Sequence, residues 1–291
     1  MSAPAISVIV ISRNEGAYLR STLEGLRGTL PSTCEIIVVA DGSVDGSADF
    51  LDNSYENVRL ISARNMGVAR ARNLGAQQSA GEMVVFADAH VSVPDRWWQP
   101  LWEALAASEA DAVAPSITAL GNESMKGCGL SLTTPDMDAE WLPCCGKEPY
   151  AVPVLPGAFL ATTRNVFDAA GGFDDGLLSR GGVDNELCMR MWLLGYELRV
   201  VPLVEVAHLF RCEAPFTVPW PSLLHNRLRL AFAHLSAKRV RRVVETFREH
   251  EHFPAALALT VDSDVFARRS ALREQRLHDD DWFFDRFDLR W

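Results

Sequence analysis

The chain has 291 residues, of which 48% are hydrophobic and 23% are charged, and its formal net charge is −10 at pH 7. This composition is ordinary for a globular protein, and the length suits one large domain or one domain with an appendage. The acidic balance argues against nucleic acid as a partner, because phosphate backbones are bound by Lys and Arg. No apolar stretch approaches the roughly 20 residues that a membrane span needs.

The N-terminal stretch MSAPAISVIVIS has no basic segment, and its apolar run stops at residues 13–15, so it predicts a first strand and not a signal peptide. Cysteines in a long chain without an export signal are expected to be reduced thiols, which predicts a cytoplasmic protein. The adjacent pair Cys144 and Cys145 leaves a vicinal disulfide or a metal site as alternatives. The cysteines are Cys34, Cys128, Cys144, Cys145, Cys188 and Cys212.

In the first part of the chain, short β-branched runs alternate with segments of helical periodicity. Strands are predicted at residues 6–12, 34–41, 57–63, 82–88 and 111–117. Helices are predicted between them at residues 16–28, 44–54, 67–81 and 94–110. This alternation predicts an α/β fold with a parallel, doubly wound sheet that is buried on both faces.

The second part of the chain is less regular. Residues 121–150 are rich in Gly, Pro and Ser and are expected to form an irregular insertion or lid over the site. Further structure is then predicted, in the order strand 151–163, helix 164–172, helix 185–195 and strands 196–201 and 204–210, followed by charged helices from residue 215. We therefore expect a catalytic domain at 1–212, with halves 1–120 and 121–212, and a helical extension at 213–291 packing on it.

Polar clusters follow three of the predicted strands, and ligands of such sheets bind where strands end. The clusters are Ser12-Arg13-Asn14, Asp41-Gly42-Ser43 and Asp88-Ala89-His90. The third cluster is either a metal site or an ordinary polar turn. Asp and His together suit Mn²⁺ better than Ca²⁺, which prefers oxygen ligands.

Two other stretches favour the metal interpretation. In VEVAHLFR, His208 ends a short strand and is a candidate third ligand. In RGGVDNELCMRMW, Asp184 and Glu186 begin a helix after two glycines, where carboxylates are either helix caps or catalytic groups. The chain has neither a Gly-x-Gly-x-x-Gly turn after the first strand nor a Walker-type loop, so bound phosphates would need a metal.

These stretches together resemble the nucleotide-sugar glycosyltransferases of family 2 with the GT-A fold, a Rossmann-like sheet flanked by helices. The similarity covers most of residues 5–211, in SVIVISRNEGAYLRSTLEGL, EIIVVADGSVDGSADFL, RNMGVARARNLGAQQSAGEMVVFADAH and GGFDDGLLSRGGVDNELCMRMW. FADAH, VARARNLGA and VEVAHLFR more narrowly resemble the polypeptide N-acetylgalactosaminyltransferases, whose usual lectin domain has no counterpart in these 291 residues.

The resemblance implies roles for individual residues. Asp88, His90 and His208 would hold Mn²⁺, or Mg²⁺, against the diphosphate, and Asp184 would be the general base, with Glu186 as a second catalytic carboxylate. Asp41 would bond the uracil or ribose, and the glycine of LPGAF would allow close approach of the sugar or acceptor. The residues expected around the nucleotide-sugar are Ser12, Arg13, Glu15, Asp41, Arg70, Asn73, Asp88, Gly157, Ala158 and Arg211.

The chain departs from these relatives at two positions. Val183 stands where they carry a carboxylate that contacts the sugar, and Arg180 stands where a lid tryptophan is usual. The sugar specificity is therefore not implied. The stereochemical outcome is open, because Asp184 favours inversion whereas the Asp-x-His motif with His208 favours the retaining group.

The predicted function is metal-dependent transfer of a sugar from a nucleotide diphosphate donor to a peptide or protein side chain. The resemblance favours a UDP-sugar as the donor. A small-molecule or glycan acceptor is the first alternative. A sugar-1-phosphate nucleotidyltransferase is disfavoured, because it needs a Gly-rich, basic loop after the first strand. The remaining alternative is a nucleotide-binding protein that has lost catalysis.

Overall fold

In the computed structural model, which describes residues 5–51 and 55–291, ten strands form one sheet and two more form a small ribbon. The strands are β1 Ile6–Ser12, β2 Glu35–Asp41, β3 Val58–Ala63, β4 Met83–Asp88, β5 Val91–Ser92, β6 Ala112–Ala119, β7 Asn122–Gly127, β8 Leu130–Ser131, β9 Glu140–Trp141, β10 Tyr150–Ala151, β11 Phe159–Thr163 and β12 Leu198–His208. The helices are α1 Ala17–Thr29, α2 Val68–Gln77, α3 Trp98–Ala106, α4 Arg164–Ala169, α5 Val183–Leu193, α6 Trp220–His234, α7 Ala237–Phe247, α8 Phe253–Asp262, α9 Val265–Gln275 and α10 Asp280–Arg286.

The main sheet runs in the order β10-β12-β6-β11-β4-β1-β2-β3. β1 lies parallel to both β2 and β4, and β12 lies parallel to β6. β11 is inserted antiparallel between β4 and β6, so the sheet is mostly but not wholly parallel. β2 and β3 follow on one side of β1, whereas β4 lies on its other side, so the strand order reverses between β1 and β4. This topological switch point opens a crevice at the carboxyl ends of the two strands.

Both faces of the sheet are covered, as the apolar runs of the strands predict. Within β1, Val8 and Val10 face an apolar layer with α1 and α3, whereas Ile9 faces a layer with α2 and α5. Successive side chains of a strand point to opposite faces, so an unbroken apolar run is needed when both faces are buried. The predicted doubly wound α/β class is confirmed.

Several predicted boundaries are wrong. Residues 44–51 form turns with a single 3-10 turn at Asp49–Leu51 instead of a helix, and residues 52–54 of that prediction lie outside the described residues. α2 ends at Gln77, four residues before Gly81. The two strands predicted at 196–210 are one strand, β12, with an irregularity between Val201 and Glu205.

The segment predicted to be irregular contains β7, β8, β9 and the start of β10, and it carries a disulfide between Cys128 and Cys144. Pairing of β8 with β9 brings these two cysteines together across 16 residues. The prediction that all six cysteines are reduced is therefore wrong for this pair, and Cys145 is free, so no vicinal bond forms. The cytoplasmic location stays a prediction.

The C-terminal helices share an apolar layer with the central helix α5. Leu224 and Leu228 of α6 and Phe283 of α10 are buried in the same cluster as Leu187 of α5. The boundary predicted at residue 212 stays a prediction, although this layer runs across it. Among the described residues, no helix is both long and apolar enough to cross a membrane.

Buried ion pairs connect α5 to the C-terminal helices. The carboxylate of Glu186, which has no exposed surface, lies 2.9 Å from Arg190 Nε, 3.0 Å from His234 Nε2 and 3.1 Å from Arg268 Nη2. Burial alone would raise the pKa of Glu186, but the charges of Arg190 and Arg268 and the hydrogen bond with His234 outweigh it and hold the pKa well below its usual range. Glu186 is thus a charged link between α5, α6 and α9.

We expect Glu186→Gln to reduce the free energy of unfolding by about 3–5 kcal/mol, because it leaves buried guanidinium groups without their counter-charge. Urea unfolding followed by circular dichroism measures the change. The matched control is Glu205→Gln, whose side chain is 54% exposed and pairs with Lys126, and it should cost less than about 1 kcal/mol. Equal losses in the two variants would contradict the role of the buried network.

Stability should fall as the pH drops below about 6.5, the ordinary pKa of histidine. Burial lowers the pKa of both His225 and His234 in the folded protein. Below pH 6.5 the unfolded chain binds these protons while the folded chain does not, so protonation favours unfolding. Glu186, Glu15 and Asp280, whose pKa values are lowered, add a second loss below about pH 4.5.

Urea midpoints measured between pH 5 and 8 test this dependence. The double variant His225→Gln, His234→Gln should be less stable at every pH but should have a flatter profile between pH 5 and 7. An unchanged slope in this variant would assign the pH dependence to other groups.

Candidate active site

A cleft of about 900 Å³ opens at the carboxyl ends of β1 and β4, within the size range of ligand-binding pockets. It collects residues from both halves of the chain. Of the residues predicted to surround a nucleotide-sugar, eight line this cleft: Ser12, Arg13, Glu15, Asp41, Asp88, Gly157, Ala158 and Arg211. His90, His208 and Asp184 line it as well.

Asp88, His90 and His208 form one cluster, in which one ligand atom from each lies within 4.8 Å of the others. Asp88 ends β4, His90 follows in the turn to β5, and His208 ends β12. β12 reaches this point because His208 pairs with Val91 of β5, and because the Leu209 N–H donates to the His90 carbonyl at 3.1 Å. The two imidazole rings are 4.8 Å apart.

The electrostatics of this cluster suit a cation. Burial would raise the pKa of Asp88, but the hydrogen bond from His208 and the charges of Arg72, His208 and His90 hold it well below its usual range, so the carboxylate is ionised. The His208 Nδ1 atom is buried and has no hydrogen-bond partner. One carboxylate and two imidazoles form a donor set suited to a first-row divalent metal such as Mn²⁺.

Glu15 borders the Asp88-His90-His208 cluster. It follows β1 by three residues and is 6% exposed. Its Oε2 atom lies 3.0 Å from His90 Nδ1 and 2.6 Å from Arg211 Nη2. Burial would raise its pKa, but these two neighbours outweigh burial and lower it.

Asp184, the predicted general base, is a further carboxylate of the cleft. It lies in the first turn of α5 and its side chain is 30% exposed. The space above Gly157 is filled by its carboxyl group, so a Cβ at residue 157 would overlap it. The close approach expected at this glycine is therefore made by Asp184 itself.

Arg72, which the sequence motifs did not single out, joins Asp184 to the Asp88-His90-His208 cluster. Its guanidinium donates to Asp184 Oδ1 at 2.6 Å and to the Gly157 carbonyl at 2.6 Å, and it lies 3.4 Å from Asp88 Oδ1. The side chain is 3% exposed. Ala69, Arg72 and Ala76 are all buried, at helical spacing, and this stripe was the signal that could have identified it.

Arg70 and Asn73 were expected to face the nucleotide-sugar, and the structure places them elsewhere. The Arg70 side chain donates to the Asp175 carbonyl at 2.7 Å, and the Asn73 amide donates to the Phe173 carbonyl at 2.9 Å. Residues three apart share a helix face, whereas Arg72 lies about 200° around the axis from Arg70. Both residues therefore fasten the loop at 173–175 and not a ligand.

Glu186 was expected to be catalytic, and this expectation is wrong. It is two residues after Asp184, which turns it about 200° around α5 and away from the cleft. Its fully buried side chain faces α6 and α9. No substrate in the cleft can touch it.

Asp41, Arg13 and Ser12 line the cleft at the carboxyl ends of β1 and β2. Asp41 accepts hydrogen bonds from the Met66 and Gly67 N–H groups, at 2.7 and 2.8 Å. The Arg13 guanidinium lies 4.4 Å from the Phe216 ring, and its Nε, like the Ser12 Oγ, is buried without a partner. Unpaired buried polar atoms are rare in proteins, and their grouping here is typical of a ligand site.

Part of this chain matches a known protein family. Residues 7–126 match the family model described as Glycosyl transferase family 2. This part of the chain is a family 2 glycosyltransferase domain. The predicted family and its homology to the polypeptide N-acetylgalactosaminyltransferases are confirmed.

Two relatives illustrate this homology. Polypeptide N-acetylgalactosaminyltransferase 15 of Homo sapiens is 27% identical over 97% of this chain and 47% of its own length. The Mus musculus protein of the same name is 30% identical over 88% of this chain and 43% of its own length. The chain thus spans about half the length of these relatives.

Solved structures share the fold. GalNAc-T7, crystallised with UDP, GalNAc and Mn²⁺, matches 98% of this chain and 56% of its own at a TM-score of 0.80 and 21% identity. The S. aureus TarS fragment 1–349 with UDP-GlcNAc matches 93% of this chain and 87% of its own at a TM-score of 0.60 and 17% identity. The family 2 domain of this chain therefore has the GT-A fold, as predicted.

We expect His90→Ala to weaken Mn²⁺ binding by more than the roughly 10- to 100-fold that loss of an outer-shell group costs, because one ligand is removed. Titration calorimetry with MnCl₂ alone measures the affinity. The control is His252→Ala, a partly exposed histidine that pairs with Glu251. Unchanged affinity in His90→Ala would remove His90 from the metal site.

Proposed function

We propose that the protein is a metal-dependent glycosyltransferase that transfers a sugar from a nucleotide diphosphate donor, with UDP as the favoured nucleotide. The observation that carries this proposal is the arrangement of Asp184, Arg72 and the Asp88-His90-His208 cluster in one cleft. In an inverting transfer, the carboxylate that activates the acceptor lies close to the cation site that holds the diphosphate, and Arg72 contacts both candidates.

Asp88, His90 and His208 would hold the metal ion, which when bound supplies Lewis-acid stabilisation of the leaving diphosphate. Arg211, at the end of the cleft near Glu15, is a second cation for the diphosphate. Ser12, Arg13 and Asp41 would contact the nucleoside. The metal ion and Arg211 would thus balance the negative charge of the donor, although the chain as a whole is acidic.

Asp184 would act as the general base. Its Oδ1 is bonded to Arg72, which leaves Oδ2 to accept the proton of the acceptor. As that acceptor oxygen or nitrogen bonds to the anomeric carbon, the bond from that carbon to the diphosphate breaks. A single displacement of this kind inverts the anomeric configuration.

We propose a peptide or protein side chain as the acceptor. The relatives that match nearly the whole chain are named for polypeptide acceptors, and the volume of the cleft leaves room for a chain segment beside the nucleotide. Val183 and Arg180 border the sugar side, where the relatives' sugar contacts differ, so the donor sugar is for experiment to identify.

A mass-spectrometric screen of UDP- and GDP-sugars with Mn²⁺ tests the proposal. A glycosyltransferase should slowly hydrolyse its own donor and release nucleoside diphosphate without an acceptor. Formation of pyrophosphate from a sugar 1-phosphate and UTP would instead indicate a nucleotidyltransferase. Stabilisation by UDP and Mn²⁺ with no consumption of any donor would indicate a binding protein.

We expect Asp184→Asn to retain binding of UDP with Mn²⁺ and to lose about 10²- to 10⁴-fold in transfer rate, the usual contribution of a general base. Binding is measured by calorimetry and transfer by product mass. Asp138→Asn is the control, because Asp138 also lines the cleft but is 70% exposed and pairs with Arg227. Wild-type transfer by Asp184→Asn would exclude the base and favour a retaining mechanism.

A further inference from the structure

Glu15 has two partners, and both belong to the ligand-binding machinery. One carboxylate oxygen lies 3.0 Å from His90 Nδ1 and 2.6 Å from Arg211 Nη2. These partners come from the turn after β4 and from the segment after β12, at 75 and 196 residues' separation. Glu15 therefore joins three parts of the chain at the edge of the cleft.

The chemistry of Glu15 disfavours a direct contact between its carboxylate and the diphosphate of a bound nucleotide. A nearly buried carboxylate repels a diphosphate, and it has no hydrogen to donate. Its accepting oxygen is already occupied by a ring nitrogen and a guanidinium. The group is placed to orient side chains that touch the ligand.

The bond to His90 determines which ring nitrogen is free. A carboxylate only accepts, so His90 Nδ1 carries the hydrogen in this contact. In the neutral ring, Nε2 then has the lone pair that a metal requires. An imidazole that ligates through one nitrogen and donates to a carboxylate through the other is a recurrent arrangement in metal sites.

The bond to Arg211 uses the same oxygen. The guanidinium also lies 5.3 Å from the Tyr18 ring, so the side chain is held from two sides. Arg211 is thereby kept at the cleft, where it can meet an anionic oxygen. One carboxylate oxygen thus positions a metal ligand and an anion-binding cation together.

We propose that Glu15 is a positioning residue that fixes the metal-binding tautomer of His90 and couples it to Arg211, so that occupancy by a divalent metal and by a nucleoside diphosphate depend on one carboxylate. This inference rests on the proposed metal site and diphosphate site but not on sugar transfer.

The first test is Mn²⁺ affinity without nucleotide, measured by calorimetry on the full chain. Glu15→Gln should weaken binding about 10- to 100-fold, the usual effect of losing an outer-shell carboxylate. Glu24→Gln, which removes a charge from the exposed face of α1, should not change it. Unchanged Mn²⁺ affinity with weakened UDP binding would overturn the proposal in favour of direct nucleotide contact.

The second test reads the tautomer directly. Nitrogen-15 spectra of the histidine rings should show His90 protonated at Nδ1 in the wild type and shifted towards the Nε2 form in Glu15→Ala, which has no acceptor for that hydrogen, with His90→Ala assigning the signal. A merely structural role for Glu15 would leave the tautomer unchanged and would overturn the proposal. Glu15→Gln is the matched control, because its amide oxygen can still accept the Nδ1 hydrogen, and it should keep the Nδ1 form.

The third test measures coupling with a double-mutant cycle for UDP binding in the presence of Mn²⁺. The effect of Arg211→Gln should be smaller in the Glu15→Gln background than in the wild type, because Arg211 is already released. Additive effects would contradict the coupling. If the wild-type protein does not bind Mn²⁺ through His90, the proposed function itself is wrong. If the wild type binds Mn²⁺ through His90 and Glu15→Gln binds it equally well, only the proposal for Glu15 is wrong.

Discussion

The geometry of the cleft depends on a buried guanidinium. Arg72 is held among Asp184, Asp88 and the carbonyl of Gly157, and its side chain is 3% exposed. A buried cation is costly unless its charge and hydrogen bonds are matched. Two carboxylates at the cleft supply that match, and Arg72 in turn orients both through its hydrogen bonds and ion pairs. The proposed base and a proposed metal ligand therefore cannot move independently.

Buried ion pairs on the opposite face of α5 stabilise the position of Asp184. α5 carries Asp184 on the face towards the cleft and Glu186 on the face towards α6 and α9. The position of Asp184 thus depends on a buried network that never meets the ligand. The C-terminal helices share a core and buried ion pairs with α5, so they support the position of the helix that carries Asp184.

The alternation of strands and helices could be predicted because apolar runs and helical periodicity are local properties. Asp88 and His90 could be selected because a short motif follows a clear strand. The antiparallel insertion of β11, the Cys128–Cys144 pair and the contacts of Arg72 could not be predicted in the same way, since they depend on which distant strands become neighbours. Arg70 and Asn73 lie on a different face of α2 from Arg72, and Glu186 lies on a different face of α5 from Asp184. Which face of a helix meets the cleft depends on tertiary packing, so a local motif does not determine it.

The contacts of the cleft join residues far apart along the chain. Arg72 and Asp184 are 112 residues apart, Asp88 and His208 are 120 apart, and Glu15 and Arg211 are 196 apart. Closing such loops costs entropy that is recovered only when the flanking elements have docked. The binding cleft is therefore expected to be among the last parts of the molecule to form on refolding, after β1, β2 and β4 have paired.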